Sequence, residues 1–195
     1  MTRVDRRALL VLIAGVAIVG GFLLAAAAER GGKNEPTQGT NAAATPQTKR
    51  LDWHETQGPK GERLAFAVRS FQVLRDGWRA RVSMTNDSKV AFDLNESERS
   101  FGLMLFASGA HSELDTRVGE SALPTLRPAL TFEPDLPPTL DPRATWSGTI
   151  SARGALVADS WVRVVFGAFS PIGRAPDSFR DHMIWITDHA YRLRG

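Results

Sequence analysis

The chain has 195 residues, no cysteine and a formal net charge of +3. The lack of cysteine excludes disulfide bonds, thiolate metal sites, a cysteine nucleophile and a lipid-modified cysteine. The first 50 residues carry seven basic and three acidic side chains, whereas the remaining 145 carry 17 and 18. Because the excess positive charge belongs to the N-terminal tail, the composition argues against nucleic acid as a partner.

An uninterrupted apolar run covers Ala8 to Ala28 and follows three arginines within residues 1–7. At about 1.5 Å per residue, a helix of this length crosses a bilayer core. The positive-inside rule then places residues 1–7 in the cytoplasm and the C-terminal domain outside the cell membrane. Small residues also allow signal cleavage near Ala26 to Ala28, which would release a secreted protein. We favour a retained single-pass anchor because the run exceeds the usual apolar core of a signal peptide.

Small residues recur every four positions within the run, at Ala17, Gly21 and Ala25. Such a stripe on one helix face allows a second helix to approach closely. The alternative is that small residues are simply common in membrane-spanning segments. We keep the three residues as candidates for helix contacts.

The segment 29–50 is rich in Gly, Thr, Asn, Gln and Pro and has almost no large apolar residue. Because it buries too little surface to offset its ordering entropy, it is predicted to be a disordered linker. Residues 51–195 are then one extracytoplasmic domain, since their number suits a single core.

Alternating apolar and polar residues predict half-buried strands in this domain. In Gly77 to Asn86 the tryptophan side points inward, and Trp146 to Ala152 repeats the pattern. The apolar positions of Leu64 to Leu74 change parity partway, which indicates a β-bulge or a strand that changes sheets. Asp76-Gly77 is a suitable turn between these strands.

Two other segments are apolar on both faces, as in strands buried on both sides. They are Phe101 to Ala107 and Ser160 to Phe169, and Arg163 is the one charge in the second. Ser108 to Glu120 is polar and predicted as a loop, while Met183 to Thr187 and Ala190 to Leu193 form a last strand or hairpin. Strands at this spacing predict an all-β sandwich of about seven or eight strands.

Several of these stretches form a series: Val68-x-x-Phe71, Gly77 to Asn86 ending in T-N-D-S, Phe101-Gly102-Leu103, Leu140-x-Pro142-x-x-x-Trp146-x-Gly148 and Val162 to Phe169. The series resembles the immunoglobulin-like exported bacterial domains found in small mycobacterial secreted antigens and in related lipoprotein-like families. Arg143 stands where that family usually has glycine. The resemblance implies export and an immunoglobulin-like fold, and it implies no reaction and no catalytic residues.

Two histidines near the C-terminus are candidates for a metal or acid/base site. His182 and His189 each follow an aspartate, and they flank Trp185. Their separation of seven places them on opposite faces of a single strand, so a shared site requires a bend between them. The alternative that we favour is two exposed turn residues.

Acidic side chains on either side of residue 101 are candidate oxygen ligands for Ca²⁺: Asp93, Glu96, Glu98, Glu113, Asp115 and Glu120. Their spacing does not match an EF-hand loop, so we favour a solvated acidic loop. Four tryptophans at strand positions, Trp78, Trp146, Trp161 and Trp185, are expected in the core. Trp53, close to the linker, is expected to be exposed.

The sequence therefore predicts a membrane-anchored, extracytoplasmic binding or accessory module. We expect no catalytic activity, no metal and no cofactor, and a protein partner at the outer membrane surface. A second hypothesis is an accessory subunit of a membrane complex that contacts its partners through the transmembrane helix. The third, a metal-dependent enzyme built on His182 and His189, ranks last because no reaction motif accompanies them.

Overall fold

The computed structural model describes residues 42–95, 97–175, 179 and 182–195. This part of the chain contains α1 (His111–Gly119) and a short 3₁₀ helix (Ser97–Arg99). Its strands are β1 (Gln47–Gln57), β2 (Arg63–Val73), β3 (Gly77–Asp87), β4 (Phe92–Asp93), β5 (Gly102–Phe106), β6 (Arg127–Pro128), β7 (Thr131–Glu133), β8 (Thr139–Leu140), β9 (Thr145–Arg153), β10 (Trp161–Pro171), β11 (Met183–Ile186) and β12 (Tyr191–Arg192).

The strands form two antiparallel sheets that pack against each other, consistent with the predicted β-sandwich. The described residues contain twelve strands rather than the seven or eight expected, because short pairings of two or three residues carry no recognisable alternation. Sheet I has the order β1-β2-β3-β9-β7. Sheet II has the order β6-β5-β10-β4-β8, and β11 and β12 also pair with β10. Five of the strands have only two or three residues, so the longer ones carry most of the pairing.

The strand patterns recognised in the sequence correspond to real pairings. In β3 the side chains of Trp78, Ala80 and Val82 are buried, and the intervening arginines are exposed. The register between β2 and β3 shifts between Val68 and Ser70, which is the bulge predicted from the change of parity. The inward-facing side chains of both strands therefore pack into the core between the sheets.

Aromatic rings fill the space between the sheets. Phe101 contacts rings on β7 and β9 of sheet I and on β10 of sheet II. Phe66 of β2 stacks on Trp185 of β11, with ring centroids 5.5 Å apart. Trp78 and Trp146 are buried as expected, and Trp161 and Trp185 are partly buried against the core. Burial of these large rings gives the sandwich much of its stability.

The N-terminal edge of the domain differs from the prediction. β1 begins at Gln47, inside the segment 29–50 that we expected to be a linker, and Ala44 is already buried. A register shift between Arg50 and Trp53, with Asp52 at φ 51°, breaks the alternation that identifies a strand. Trp53 is only 8% exposed, so the expectation that it is exposed is wrong.

A helix replaces the loop expected at Ser108 to Glu120. α1 has nine residues, and Leu114 is its one buried side chain. This leaves no apolar stripe over several turns from which a helix could be recognised. Glu113 accepts hydrogen bonds from the backbone N–H groups of Ala107 and Ser108, which secures the start of the helix.

The last two strands do not form a hairpin with each other. β11 and β12 both pair antiparallel with β10, β11 along Val165 to Phe169 and β12 at Trp161 and Val162. The loop between them crosses the same edge of sheet II. Sequence alternation does not distinguish these pairings, because it reports which face is buried and not which strand is adjacent.

In the part of the chain that the structure describes, no helix is both long and apolar enough to cross a membrane. The apolar run at Ala8 to Ala28, the contact candidates Ala17, Gly21 and Ala25, and residues 29–41 of the predicted linker lie outside the described residues.

Candidate functional site

The two histidines proposed as a pair do not meet. His182 precedes β11 and its Nδ1 lies 2.5 Å from Ser170 Oγ, whereas His189 follows β11 and contacts Glu55. The extended β11 therefore separates them. Among the described residues, no group of three or more His, Cys, Asp or Glu side chains is placed to hold a metal ion.

The acidic residues considered as calcium ligands are also engaged separately. Asp93 accepts a hydrogen bond from the N–H of Asn95, Glu113 secures the start of α1, and Asp115 contacts His111. Glu96 lies outside the described residues. The expectation of a solvated acidic loop remains for Glu98 and Glu120, which are exposed.

Instead, polar groups gather around the loop Thr187–His189. We call this set the edge cluster: Glu55, His111, Asp115, Arg163, Asp188 and His189. It lies where β1, the edge strand of sheet I, approaches β11 and β12 of sheet II. The cluster thus joins the two sheets along one side of the sandwich.

Glu55 is the acceptor at the centre of the edge cluster, and it is 8% exposed. Its carboxylate accepts hydrogen bonds from Trp185 Nε1 at 2.8 Å and from the backbone N–H groups of Asp188 and His189 at 2.9 and 3.1 Å. It also lies 2.7 Å from His189 Nδ1. A buried carboxylate needs such donors because it has lost its hydration.

Arg163 is the donor beneath the same loop, and its side chain is fully buried. Its guanidinium donates to the carbonyl oxygens of Thr187 and Asp188 and, on the other side, to those of Gly109 and Ala110. The guanidinium also lies over the Phe106 ring. Burial lowers the pKa of Arg163, and the nearby carboxylates of Asp188 and Glu55 oppose that shift. An arginine stays charged under such conditions.

His111 bridges α1 and the loop at the surface. Its Nδ1 lies 2.9 Å from Asp115 and its Nε2 lies 3.0 Å from Asp188. Partial burial opposes the charged ring, but the hydrogen bond that Asp115 accepts from the ring and the charge of Asp188 prevail and raise the pKa of His111 above its ordinary value. With a carboxylate on each ring nitrogen, His111 is suited to an ion pair rather than to proton transfer.

His189 and Glu55 form the one carboxylate–imidazole pair in the edge cluster that resembles a catalytic arrangement. The imidazole stacks on Trp53 with ring centroids 5.6 Å apart, and its side chain is 55% exposed. The nearby hydroxyl of Thr187 donates to the main-chain oxygen of His189 and accepts from the N–H of Val164. Because both bonds of that hydroxyl go to the backbone, Thr187 is not an activated nucleophile for the pair.

Sequence reasoning named His189 and singled out Arg163 as a lone charge in an apolar strand, but it did not connect them to Glu55 or His111. Glu55 and His189 are 134 residues apart. The one available signal was a charged residue in the middle of an apolar run, which requires a buried partner.

A second surface lies on the outer face of sheet I. Cross-strand pairing places Arg79 beside Gln72 and Ser151, and Arg81 beside Ser70 and Thr149. Arg69 is exposed at the bulge, and Arg50 is exposed on the neighbouring edge strand. We call these four residues, Arg50, Arg69, Arg79 and Arg81, the arginine face. Among the described residues, Arg69, Arg79 and Arg81 have no acidic partner, and Arg50 contacts Asp52.

Comparisons of this chain with protein-family models, with curated proteins and with solved structures gave no match.

Proposed function

We propose that this protein is a membrane-anchored, extracytoplasmic binding or accessory module with an immunoglobulin-like β-sandwich. Its apolar run Ala8 to Ala28 serves as a single-pass anchor with the N-terminus in the cytoplasm. The domain presents its surface to a protein partner at the outer side of the membrane and has no catalytic activity.

One observation carries this proposal: both ends of the described chain lie at the same pole of the sandwich. The carbonyl oxygen of Ala42 accepts a hydrogen bond from the N–H of Ala158, and the N–H of Thr45 donates to Arg194 beside the C-terminus. We call this end the tether pole. A domain attached to a membrane there leaves its opposite loops and the outer face of sheet I free for binding.

The edge cluster supports a structural role for the polar groups that resemble a site. Three of the four hydrogen bonds to Glu55 come from the Trp185 indole and from the backbone N–H groups of Asp188 and His189. The four hydrogen bonds that the Arg163 guanidinium donates all go to main-chain oxygens. Such groups hold a loop in place. Binding by surface complementarity needs this rigidity, whereas catalysis needs a group free to exchange a proton.

The proposal is tested on the full chain expressed in bacterial cells. We expect mass spectrometry of the washed membrane fraction to show an intact N-terminus, and protease added outside spheroplasts to degrade the domain. Crosslinking in the same preparation is expected to recover a protein partner. A domain found only in the soluble fraction, or protected from external protease, would contradict the proposal.

The alternative role, a subunit held through its helix, is separated by one variant. Replacing Ala17, Gly21 and Ala25 together by leucine removes the small-residue stripe but keeps the run apolar. We expect unchanged partner recovery if the domain makes the contact. Loss of the partner would favour the subunit role.

A further inference from the structure

We propose that the arginine face is a docking surface for anionic phospholipid headgroups of the membrane that carries this protein. The inference rests on the proposed function, because it requires the domain to be tethered beside a bilayer. It adds a second contact with that membrane, made by the folded domain rather than by the apolar run.

The first argument is the local charge. The residues from 51 onward have nearly equal numbers of basic and acidic side chains, so the domain as a whole is not basic. On the outer face of sheet I, however, three exposed arginines lie close together without acidic partners among the described residues. Of the carboxylates on or near this face, Asp52 pairs with Arg50 and Asp87 pairs with Arg63 and Arg143. Glu133 lies opposite Thr149 at the β7 edge, and Asp76 lies in the β2–β3 turn. Unpaired surface guanidiniums favour an anionic ligand, and phosphate is one that they bind well.

The second argument is the chemistry between the arginines. The cross-strand neighbours of Arg79 and Arg81 are Gln72, Ser151, Ser70 and Thr149. Hydroxyl and amide groups donate hydrogen bonds to phosphate oxygens and are small enough to leave the guanidiniums accessible. The face is a sheet surface rather than a cleft, which suits a planar array of headgroups better than a single enclosed ligand.

The third argument is position. Arg75 and Arg153 are exposed where β2, β3 and β9 end, and the N–H of Gly154 bonds to the oxygen of Asp76 there. These residues continue the positive surface from the arginine face to the tether pole. Residues 29–41 separate the apolar run from Ala42 and span at most about 50 Å even when fully extended. The tether therefore keeps the face within reach of the bilayer surface.

The opposite side of the domain has the opposite charge, which makes the orientation specific. α1 covers the outer face of sheet II through Leu114, and Glu113, Asp115, Glu120 and Asp188 lie on or beside it. The arginine of this helix, Arg117, pairs with Glu113, so acidic side chains outnumber basic ones here. An anionic surface attracts the arginine face and repels the α1 side. The expected result is one preferred orientation rather than loose association.

The chain has no cysteine, so a single fluorophore can be attached at a chosen site in the full-length protein. Ser147→Cys places it on the outer face of sheet I, and Ser112→Cys places it on α1. Both proteins are reconstituted into vesicles of phosphatidylcholine alone or mixed with phosphatidylglycerol, each with a headgroup-labelled acceptor lipid. We expect energy transfer from the Ser147 site to increase in the mixed vesicles, and transfer from the Ser112 site not to increase.

The decisive variant replaces Arg69, Arg79 and Arg81 by glutamine. Its matched control replaces Lys60, Arg99 and Arg174 by glutamine. These three side chains are exposed on other parts of the domain, and their replacement removes the same amount of charge. We expect the arginine-face variant to lower the ratio of docked to undocked domain on the order of 100-fold, and the control to behave as wild type. Raising the salt to about 1 M, where the Debye length is about 3 Å, is expected to remove the effect in wild type.

The outcomes separate this inference from the proposed function. A protein that an alkaline wash removes from both kinds of vesicle lacks the anchor, which overturns both. A protein that stays anchored but shows equal energy transfer in both kinds of vesicle overturns the lipid inference alone. This is also the result expected if the arginine face binds an acidic protein and not lipid. Equal losses in the two triple variants also overturn it, because the effect is then one of net charge.

Discussion

At the scale of single residues, Asn86 shows how much of the fold depends on one amide. It is fully buried at the end of β3 and lies in the T-N-D-S stretch that is part of the family resemblance. Its Nδ2 donates to the carbonyl oxygens of Val90, Leu140 and Asp141, and its Oδ1 accepts from Ser88. One side chain thus ties the turn after β3 to the loop before β9.

Asn86→Asp is expected to destabilise the domain by about 3–5 kcal/mol at pH 7. The change is nearly isosteric, but it directs a buried carboxylate at three carbonyl oxygens in place of an amide donor. Urea unfolding followed by tryptophan fluorescence measures the loss. Asn95→Asp, at an exposed turn, is the control and is expected to change stability by less than about 0.5 kcal/mol. A similar small effect at residue 86 would contradict the assigned role.

His111 predicts a pH dependence of stability with a defined sign. Because its pKa is raised in the folded protein, its contribution is complete below the unfolded pKa near about 6.5 and is lost as the pH rises through the folded value. The stability advantage of wild type over His111→Gln should therefore shrink above about pH 6.5. The side chain is 52% exposed, so the advantage is expected to stay below about 1 kcal/mol.

Unfolding measured across this pH range tests the His111 prediction. Thr116→Gln, an exposed change on the same helix, is expected to retain the pH dependence of wild type. An advantage that instead grows with rising pH would reverse the sign and refute the assignment.

At the scale of elements, the edge cluster makes β11 and β12 depend on a strand of the other sheet. Glu55→Ala removes the acceptor of four hydrogen bonds from Trp185, Asp188 and His189. We expect the amides of residues 183–193 to exchange hydrogen markedly faster, since the loop between the strands loses its hydrogen bonds to β1. Amides in β2 and β3 are expected to remain protected.

Hydrogen exchange with mass spectrometry reads out this local opening. Glu133→Ala on β7, at the other edge of sheet I, is the control and is expected to leave residues 183–193 unchanged. If Glu55→Ala accelerated exchange evenly over both sheets, the edge cluster would stabilise the whole domain and not the β11–β12 segment in particular.

An element could be predicted from the sequence where its own residues show a complete pattern of buried and exposed positions. β3 and β9 alternate in full because one face of each meets the core over its whole length, so their strands and inward sides were correct. β1 contains a bulge, and α1 buries only Leu114, so neither carries a complete period. The alternation in β3 is also sufficient to predict that Arg79 and Arg81 point outward, because they have the opposite parity to Trp78.

At the scale of the whole molecule, the aromatic core makes the two sheets one cooperative unit. Phe101 is fully buried and touches Phe132 and Trp146 from sheet I and Phe166 and Phe169 from sheet II. Phe101→Ala is expected to cost about 3–5 kcal/mol while unfolding remains a single transition. Chemical denaturation with two probes, fluorescence and circular dichroism, tests both statements.

Leu130→Ala provides the control for the core prediction, because Leu130 is a large apolar residue that is 71% exposed. We expect its effect to stay below about 0.5 kcal/mol. Separate transitions for the two probes in Phe101→Ala would show that the sheets unfold independently and that the shared aromatic core does not couple them.

Local pattern alone predicted the all-β class, the irregularity in β2 and the inward tryptophan side of β3, because each depends on neighbours within a few residues. The contact of Glu55 with His189, the separation of His182 from His189 and the shared pairing of β11 and β12 with β10 required the folded chain. These features join residues far apart in sequence, where alternation carries no information about which strands become neighbours. The proximity of Arg50 and Arg69 to Arg79 and Arg81 likewise follows from strand register, which is why an almost neutral domain has one strongly basic face.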